Sequence, residues 1–204
     1  MDPILNRSIQ LSNKSPETLR QEIRASFHQT ADLYESLFEC LASDEAYFVK
    51  PISLRHPLIF YYGHTNTFFI NKLILSGLIT KRVNPQFESI FAVGVDEMGW
   101  DDVNDQNYDW PKVEEVKAYR AKVRQVVDQL ISELPLNLPI DWESPWWIIL
   151  MGIEHERIHL ETSSVLIRQH ALKYVKPSAN WPVCAQQQSP APLNTLVNIK
   201  ARDV

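Results

Sequence analysis

Cysteine is scarce in this chain. Two residues, Cys40 and Cys184, among 204 exclude a disulfide framework and a zinc site built from thiolates. Basic charge is not in excess either: 20 Lys and Arg stand against 25 Asp and Glu, a formal net charge of −5. Nucleic acid and anionic membrane are therefore poor partners, because phosphate binding needs a basic face. Long apolar runs are missing as well. The most apolar windows are broken by His64, Asn66, Asn71 and Lys72 or fall short of the roughly 18 residues a bilayer span needs. Met1-Asp2-Pro3-Ile4-Leu5-Asn6-Arg7 does not lead into the basic and then apolar stretches of a secretory signal, so a cytoplasmic protein is expected. No stretch alternates with period two, which disfavours a sheet, and no internal repeat is present. With 45% hydrophobic residues, 13 prolines and only 5 glycines, the chain reads as one rigidly connected domain with an ample core.

What is present is a 3.6-residue apolar period in four long segments. The first runs from about Pro16 to Leu41, with Leu19, Ile23, Phe27, Tyr34, Leu37 and Leu41 as its stripe. Ser15 before Pro16 is an N-cap followed by proline at the first helical position, where the missing N–H is harmless. The second runs from about Pro57 to Leu78, with Phe60, His64, Phe68, Asn71, Leu75 and Leu78 on one face. The third lies between Pro111 and Pro135, with Val113, Val116, Arg120, Val123, Val127, Leu130 and Leu134 in line. The fourth opens at Ser144-Pro145, the same cap chemistry, and continues to about Leu172. About thirty residues from Thr80 to Trp110 separate the second and third segments, a length typical of a crossover or a functional loop. The expected fold is an all-α four-helix bundle over residues 1–175, with a long crossover loop. An extended tail over residues 176–204, rich in proline and glutamine, should follow. Leu196-Val197-Asn198-Ile199 in that tail could open a strand.

The chemistry sits in Glu154-His155-Glu156-Arg157-Ile158-His159. On a helix, positions i and i+4 are separated by about 40° around the axis and about 6 Å along it, so His155 and His159 can share one metal ion. A stripe of Ile148, Gly152, His155, His159, Thr162 and Leu166 predicts that both face the bundle interior, with Gly152 and Thr162 leaving room beside them. Arg157 and Glu161 are expected on the solvent side as an ion pair. His64, mid-helix with Thr67 and Asn71 nearby, is the candidate third ligand. Three imidazoles suit Zn, Fe, Ni or Cu and leave coordination positions open.

His155-Glu156-Arg157-Ile158-His159 also fits the H-E-x-x-H pattern of zinc peptidases, where the glutamate is the general base. The extended form of that pattern is broken by Thr162 and Val165. Glu156 projects about 100° from His155, which leaves it either supporting the metal ligands or solvated; Asn71 is a second candidate for support. Arg120, alone among apolar residues, reads as an ion-paired or snorkelling side chain, with substrate carboxylate recognition as the alternative. His28, His56 and His170 read as surface or cap residues, and Trp146-Trp147 and Tyr61-Tyr62 as core aromatics. Asp101-Asp102 reads as a helix cap, with cation binding the alternative. Cys40 and Cys184 have no activating neighbour in sequence.

With one histidine on the second helix and an H-x-x-x-H pair on the fourth, the chain resembles the DinB-like metal-binding superfamily. Three segments carry a narrower likeness: Arg55-His56-Pro57-Leu58-Ile59-Phe60-Tyr61-Tyr62-Gly63-His64, Gly94-Val95-Asp96-Glu97-Met98, and Gly152 to Ser164 around the histidine pair. They resemble the N-terminal domain of 5-histidylcysteine sulfoxide synthases of ovothiol biosynthesis, which are similar to the sulfoxide synthase of ergothioneine biosynthesis. The resemblance implies iron(II) held by His64, His155 and His159, with Zn or Ni as substitutes in purified protein. It implies cysteine, histidine and O₂ as small-molecule substrates. It also implies a following formylglycine-generating-enzyme-like domain, beginning beyond this chain, that completes the active site and supplies a catalytic tyrosine; the isolated chain is then expected to be weakly active or inactive. Two other classes remain open: a free-standing thiol-dependent transferase or hydrolase, and a non-catalytic interaction module with a structural metal. A homodimer is compatible with any of these.

Overall fold

The computed structural model describes residues 8–92, 108–181 and 195–196. Six α-helices are found there: α1 (Pro16–Phe38), α2 (Glu45–Phe48), α3 (Leu58–Leu75), α4 (Pro85–Ile90), α5 (Val113–Glu133) and α6 (Pro145–Arg168). A single 3₁₀ turn, Leu172–Tyr174, follows. The four long helices α1, α3, α5 and α6 are the four expected from periodicity. Among the described residues there is no strand beyond two isolated bridges, Leu41 with Val175 and Ser178 with Trp181. No described helix is long and apolar enough to cross a membrane. Asp101, Asp102, Cys184, the Gly94–Met98 motif and the expected strand start beyond Leu196 lie outside the described residues.

The helix ends follow local chemistry. Ser15 accepts a hydrogen bond from the Thr18 amide at 3.2 Å, and Ser144 from the Trp146 amide at 3.4 Å, each just before a proline. At the other end of α3, Gly77 takes a positive φ of 74°. Its amide bonds the Ile74 carbonyl while the Leu78 amide bonds the Leu73 carbonyl, both at 3.0 Å. This double closure satisfies carbonyls the helix leaves open, and glycine adopts the required left-handed backbone without a Cβ penalty.

Helix α3 is the centre of the bundle, buried on nearly every side and packed by α6, α5, α4 and α2. Helix α1 closes the bundle against α6 and α5. The α1 stripe is buried from Leu19 to Leu41, the last of these just past the helix end. In α3 the expected face leaves the core after Asn71, and Leu75 is exposed. In α5 the buried line ends on Ile131, with Leu130 only half-buried. Trp146 is buried and donates its indole N–H to the Pro135 carbonyl at 2.9 Å, whereas Trp147 lies largely outside the core.

The buried face of α6 is rotated from the expected one. It runs through Trp146, Ile149, Gly152, Ile153, Glu156, Ser163, Leu166 and Ile167, so Glu156, not His155, lies at its middle. Gly152 does not leave room either. A Cβ there would lie 2.1 Å from the Phe69 ring; glycine lets α3 press its phenylalanine directly against α6. Past α6, the chain turns back onto the end of α1. The Ala42 amide bonds the Tyr174 carbonyl at 2.9 Å, the Lys176 amide bonds the Cys40 carbonyl at 2.8 Å, and the Trp181 indole donates to Ser36 at 3.2 Å.

Candidate metal centre

Helices α3 and α6 bring His64, His155 and His159 together. Each offers one ring nitrogen, and the three atoms lie within 4.8 Å of one another. The ring centroids are 5.0 Å apart for His64–His155, 4.7 Å for His64–His159 and 4.5 Å for His155–His159. His64 is buried and the other two are half-buried. The α6 pair therefore stands at the rim of the core.

Aromatic rings hold the imidazoles in place. Phe68 stacks on His155 at 3.8 Å and 12°, and Phe60 on His64 at 5.1 Å and 17°. Tyr61 stands 6.0 Å from His159. His64 is also fixed in tautomer: its Nδ1–H donates to the Phe91 carbonyl at 2.7 Å, which makes Nε2 the nitrogen that would face a metal. That bond depends on Gly63, because a Cβ there would lie 2.5 Å from the Phe91 ring. Glycine at this turn of α3 lets Phe91 seat against the helix and bring its carbonyl to His64.

The electrostatics fit a divalent cation. Burial, then the neighbouring His159 and His64, then Lys72, depress the His155 pKa to about 2. Burial and His64 depress that of His159 to about 3. Both imidazoles are thus neutral across the physiological range, the state a metal ligand requires. The buried Nδ1 atoms of His155 and His159 have no hydrogen-bond partner among the described residues. Buried polar atoms are normally satisfied. Two unsatisfied imidazoles beside a third with a fixed tautomer make a donor set suited to Fe, Zn, Ni or Cu.

The supporting residues expected from sequence lie differently. Glu156 is buried, accepting from Thr65 and from Arg120 at 3.0 Å each. It is neither solvated nor turned toward the imidazoles as a general base. Together with the absence of strands among the described residues, this removes the physical basis for peptidase chemistry. Asn71 lines the same cleft as His64, but its amide donates to the Glu88 carbonyl at 3.0 Å and accepts from Arg82 at 2.8 Å. Arg120 is the ion-paired residue expected, completely enclosed between Glu35 and Glu156. Arg157 pairs with Glu154 at 2.8 Å rather than with Glu161, and reaches Ser26 and Thr30 on α1. His56 and His170 are buried, not surface, residues. His56 sits against Phe60 and Trp110, and His170 against Tyr174. His28 is half-buried and bonded to Asp128. Burial pushes the Cys40 thiol pKa up, consistent with an unreactive cysteine.

A cleft of about 480 Å³ opens beside His64, lined by Thr67, Phe68, Asn71, Lys72, Arg82 and Glu88 among others. Phe68 and Lys72 lie four and eight residues beyond His64. That spacing was the available signal for a continuous face carrying a ligand, an aromatic ring and a cation.

The profile of the DinB superfamily matches residues 26–163, which run from the middle of α1 through most of α6 and include all three histidines. The chain belongs to the DinB superfamily. It is also 31% identical over 129 residues to ergothioneine biosynthesis protein 1 of Neurospora crassa. That match covers 59% of this chain and 14% of the relative, so the chain spans a small part of the relative's length.

Proposed function

We propose that this chain is the metal-binding part of a non-heme iron sulfoxide synthase of the 5-histidylcysteine type. The observation that carries the reading is the convergence of three imidazoles, two of them with nitrogens that have no hydrogen-bond partner among the described residues, in a DinB-superfamily bundle. The similarity to ergothioneine biosynthesis protein 1 supports it. In this reading His64, His155 and His159 hold iron(II), which supplies the electron-transfer and O₂ chemistry when bound. Cysteine and histidine are the organic substrates. A new bond from sulfur to an imidazole carbon replaces an S–H and a ring C–H. One oxygen atom of O₂ goes to sulfur and the other leaves as water.

The residues of this chain supply placement. Phe60 and Phe68 hold two imidazole planes, and the Phe91 carbonyl keeps the His64 proton on Nδ1. The cleft admits molecules of amino-acid size from one side. Residues 1–175 are the bundle and 176–204 lead toward a formylglycine-generating-enzyme-like domain that covers the imidazoles from the open side.

The test is anaerobic titration with iron(II), expected to show one ion per chain and none in His64→Ala. Protein carrying the second domain, given cysteine, histidine and O₂, should then yield a cysteine–histidine sulfoxide by mass spectrometry. A chain that takes up no divalent ion, or a two-domain protein that consumes O₂ without joining the two amino acids, would overturn the reading.

A further inference from the structure

The cleft beside His64 contains two cations in unequal circumstances. Arg82 is already neutralised, its Nη1 lying 2.9 Å from a Glu88 carboxylate oxygen and 2.8 Å from the Asn71 side-chain oxygen. Glu88 is itself buried, and its other oxygen accepts from the Val83 and Asn84 amides. Lys72 has no such partner. No carboxylate among the described residues forms an ion pair with it, and its ammonium rests 5.3 Å from the centre of the Phe68 ring. The same ring stacks on His155. His64, Phe68 and Lys72 thus form one line along α3, about 12 Å from first to last. Among the described residues, a half-buried ammonium without an ion-pair partner in a cleft whose other charges cancel gives that cleft a net positive field, although the chain as a whole is negative. A divalent ion at the imidazoles strengthens it.

We propose that Lys72 receives the carboxylate of the thiol-bearing amino acid substrate, anchoring the end of the molecule opposite its metal-directed sulfur. The inference rests on the function proposed above and adds a specificity-determining residue to it. The charge supplies an attraction for carboxylate over neutral analogues. Phe68 limits the lysine to one side of the cleft, so the anchored carboxylate fixes which way the substrate lies. Arg82 cannot serve in its place without abandoning Glu88, a buried carboxylate that would then lose its cationic partner.

Cobalt(II)-loaded protein provides a readout that needs no turnover, because a thiol reaching the metal gives a sulfur-to-metal charge-transfer band. Cysteine, 3-mercaptopropionate and cysteamine share the thiol, but only the first two carry the carboxylate. Wild type should bind those two about tenfold more tightly than cysteamine, the scale of one partly exposed charge-assisted contact. Lys72→Met should bring all three to the cysteamine level, and Lys72→Arg should restore part of the preference, with cobalt affinity the same throughout. Equal affinities for all three thiols in wild type, or an equal loss for all three in Lys72→Met, would overturn this role for Lys72 while leaving the metal centre intact. No cobalt uptake, or no band with any thiol, would instead overturn the proposed function and this inference with it.

Discussion

Two clusters of polar side chains form where α3 packs on α6, and they alternate along the sequence. Thr65 follows His64, and Glu156 follows His155. A helix turns about 100° per residue, so neighbours in sequence project to different sides. On one side Arg120 donates to Glu35, to the Tyr62 carbonyl, to Thr65 and to Glu156, at 2.8–3.0 Å. Thr65 donates in turn to Glu156, and the guanidinium lies 4.8 Å from the Tyr62 ring and 5.1 Å from that of Tyr34. The cluster ties α1, α3, α5 and α6 together from within. On the other side the Nδ1 atoms of His155 and His159 have no hydrogen-bond partner among the described residues. Burial tolerates polar groups only when they are satisfied. The satisfied cluster is complete in the folded chain and belongs to the scaffold; the other is the one that a metal would complete in the function proposed above. A single turn of α6 serves both.

The sharpest way to break this distinction is to remove the arginine. Arg120→Met leaves Glu156 buried without its cation, and the expected loss of unfolding free energy is about 3–5 kcal/mol. Urea denaturation of the metal-free protein measures it. A loss below about 1 kcal/mol would mean that the cluster does not hold the helices together. The imidazole side should respond in the opposite way. His155→Ala removes a group with an unmet nitrogen, so metal-free stability should change by less than about 1 kcal/mol. Cobalt(II) or iron(II) affinity, followed by competition with a chromophoric chelator, should fall at least about 100-fold, roughly 2.7 kcal/mol. A variant that unfolds but keeps its metal affinity would reverse the assignment of the two clusters.

The contrast also explains what the sequence could and could not reveal. Local signals carried far: the Ser-Pro caps start α1 and α6, and Leu19, Ile23, Phe27, Tyr34 and Leu37 all lie in the core. The i,i+4 spacing of His155 and His159 and the lone mid-helix His64 were enough to name the three residues that converge. The face of α6 was misjudged because a glutamate inside an apolar bundle reads as a solvent residue until its cation is known. That cation, Arg120, comes from another helix 36 positions away. Gly152 suggested space, but the ring that fills it, Phe69, comes from α3. His56 looked peripheral because Phe60 and Trp110, which enclose it, meet only in the fold. Lys72 shares the His64 stripe, yet nothing local separates an unpaired lysine from one neutralised across a cleft, as Arg82 is.

A third polar cluster, between α1 and α5, sharpens the comparison because it is satisfied but wet. Asp128 accepts two bonds from Arg24, at 2.6 and 2.7 Å, and lies 2.7 Å from His28 Nε2. Arg124 donates to His28 Nδ1 at 3.0 Å, so the histidine proton sits on Nε2 and points at the aspartate. The hydrogen bond from Arg24 chiefly, opposed by some desolvation and aided by His28, holds the Asp128 pKa down to about 2, from an ordinary 3.8. A carboxylate depressed in this way stabilises the fold above the unfolded pKa, and that contribution disappears as pH falls from about 4 to about 2. Solvent screens exposed pairs, so the contribution should not exceed about 1 kcal/mol. Asp128→Asn should therefore lower stability slightly at pH 7 and flatten the acid limb of the stability profile between pH 4 and 2, with metal affinity unchanged. If Asp128→Asn were as damaging as Arg120→Met, hydrogen-bond satisfaction alone, rather than satisfaction in a dry interior, would set the importance of a cluster in this bundle.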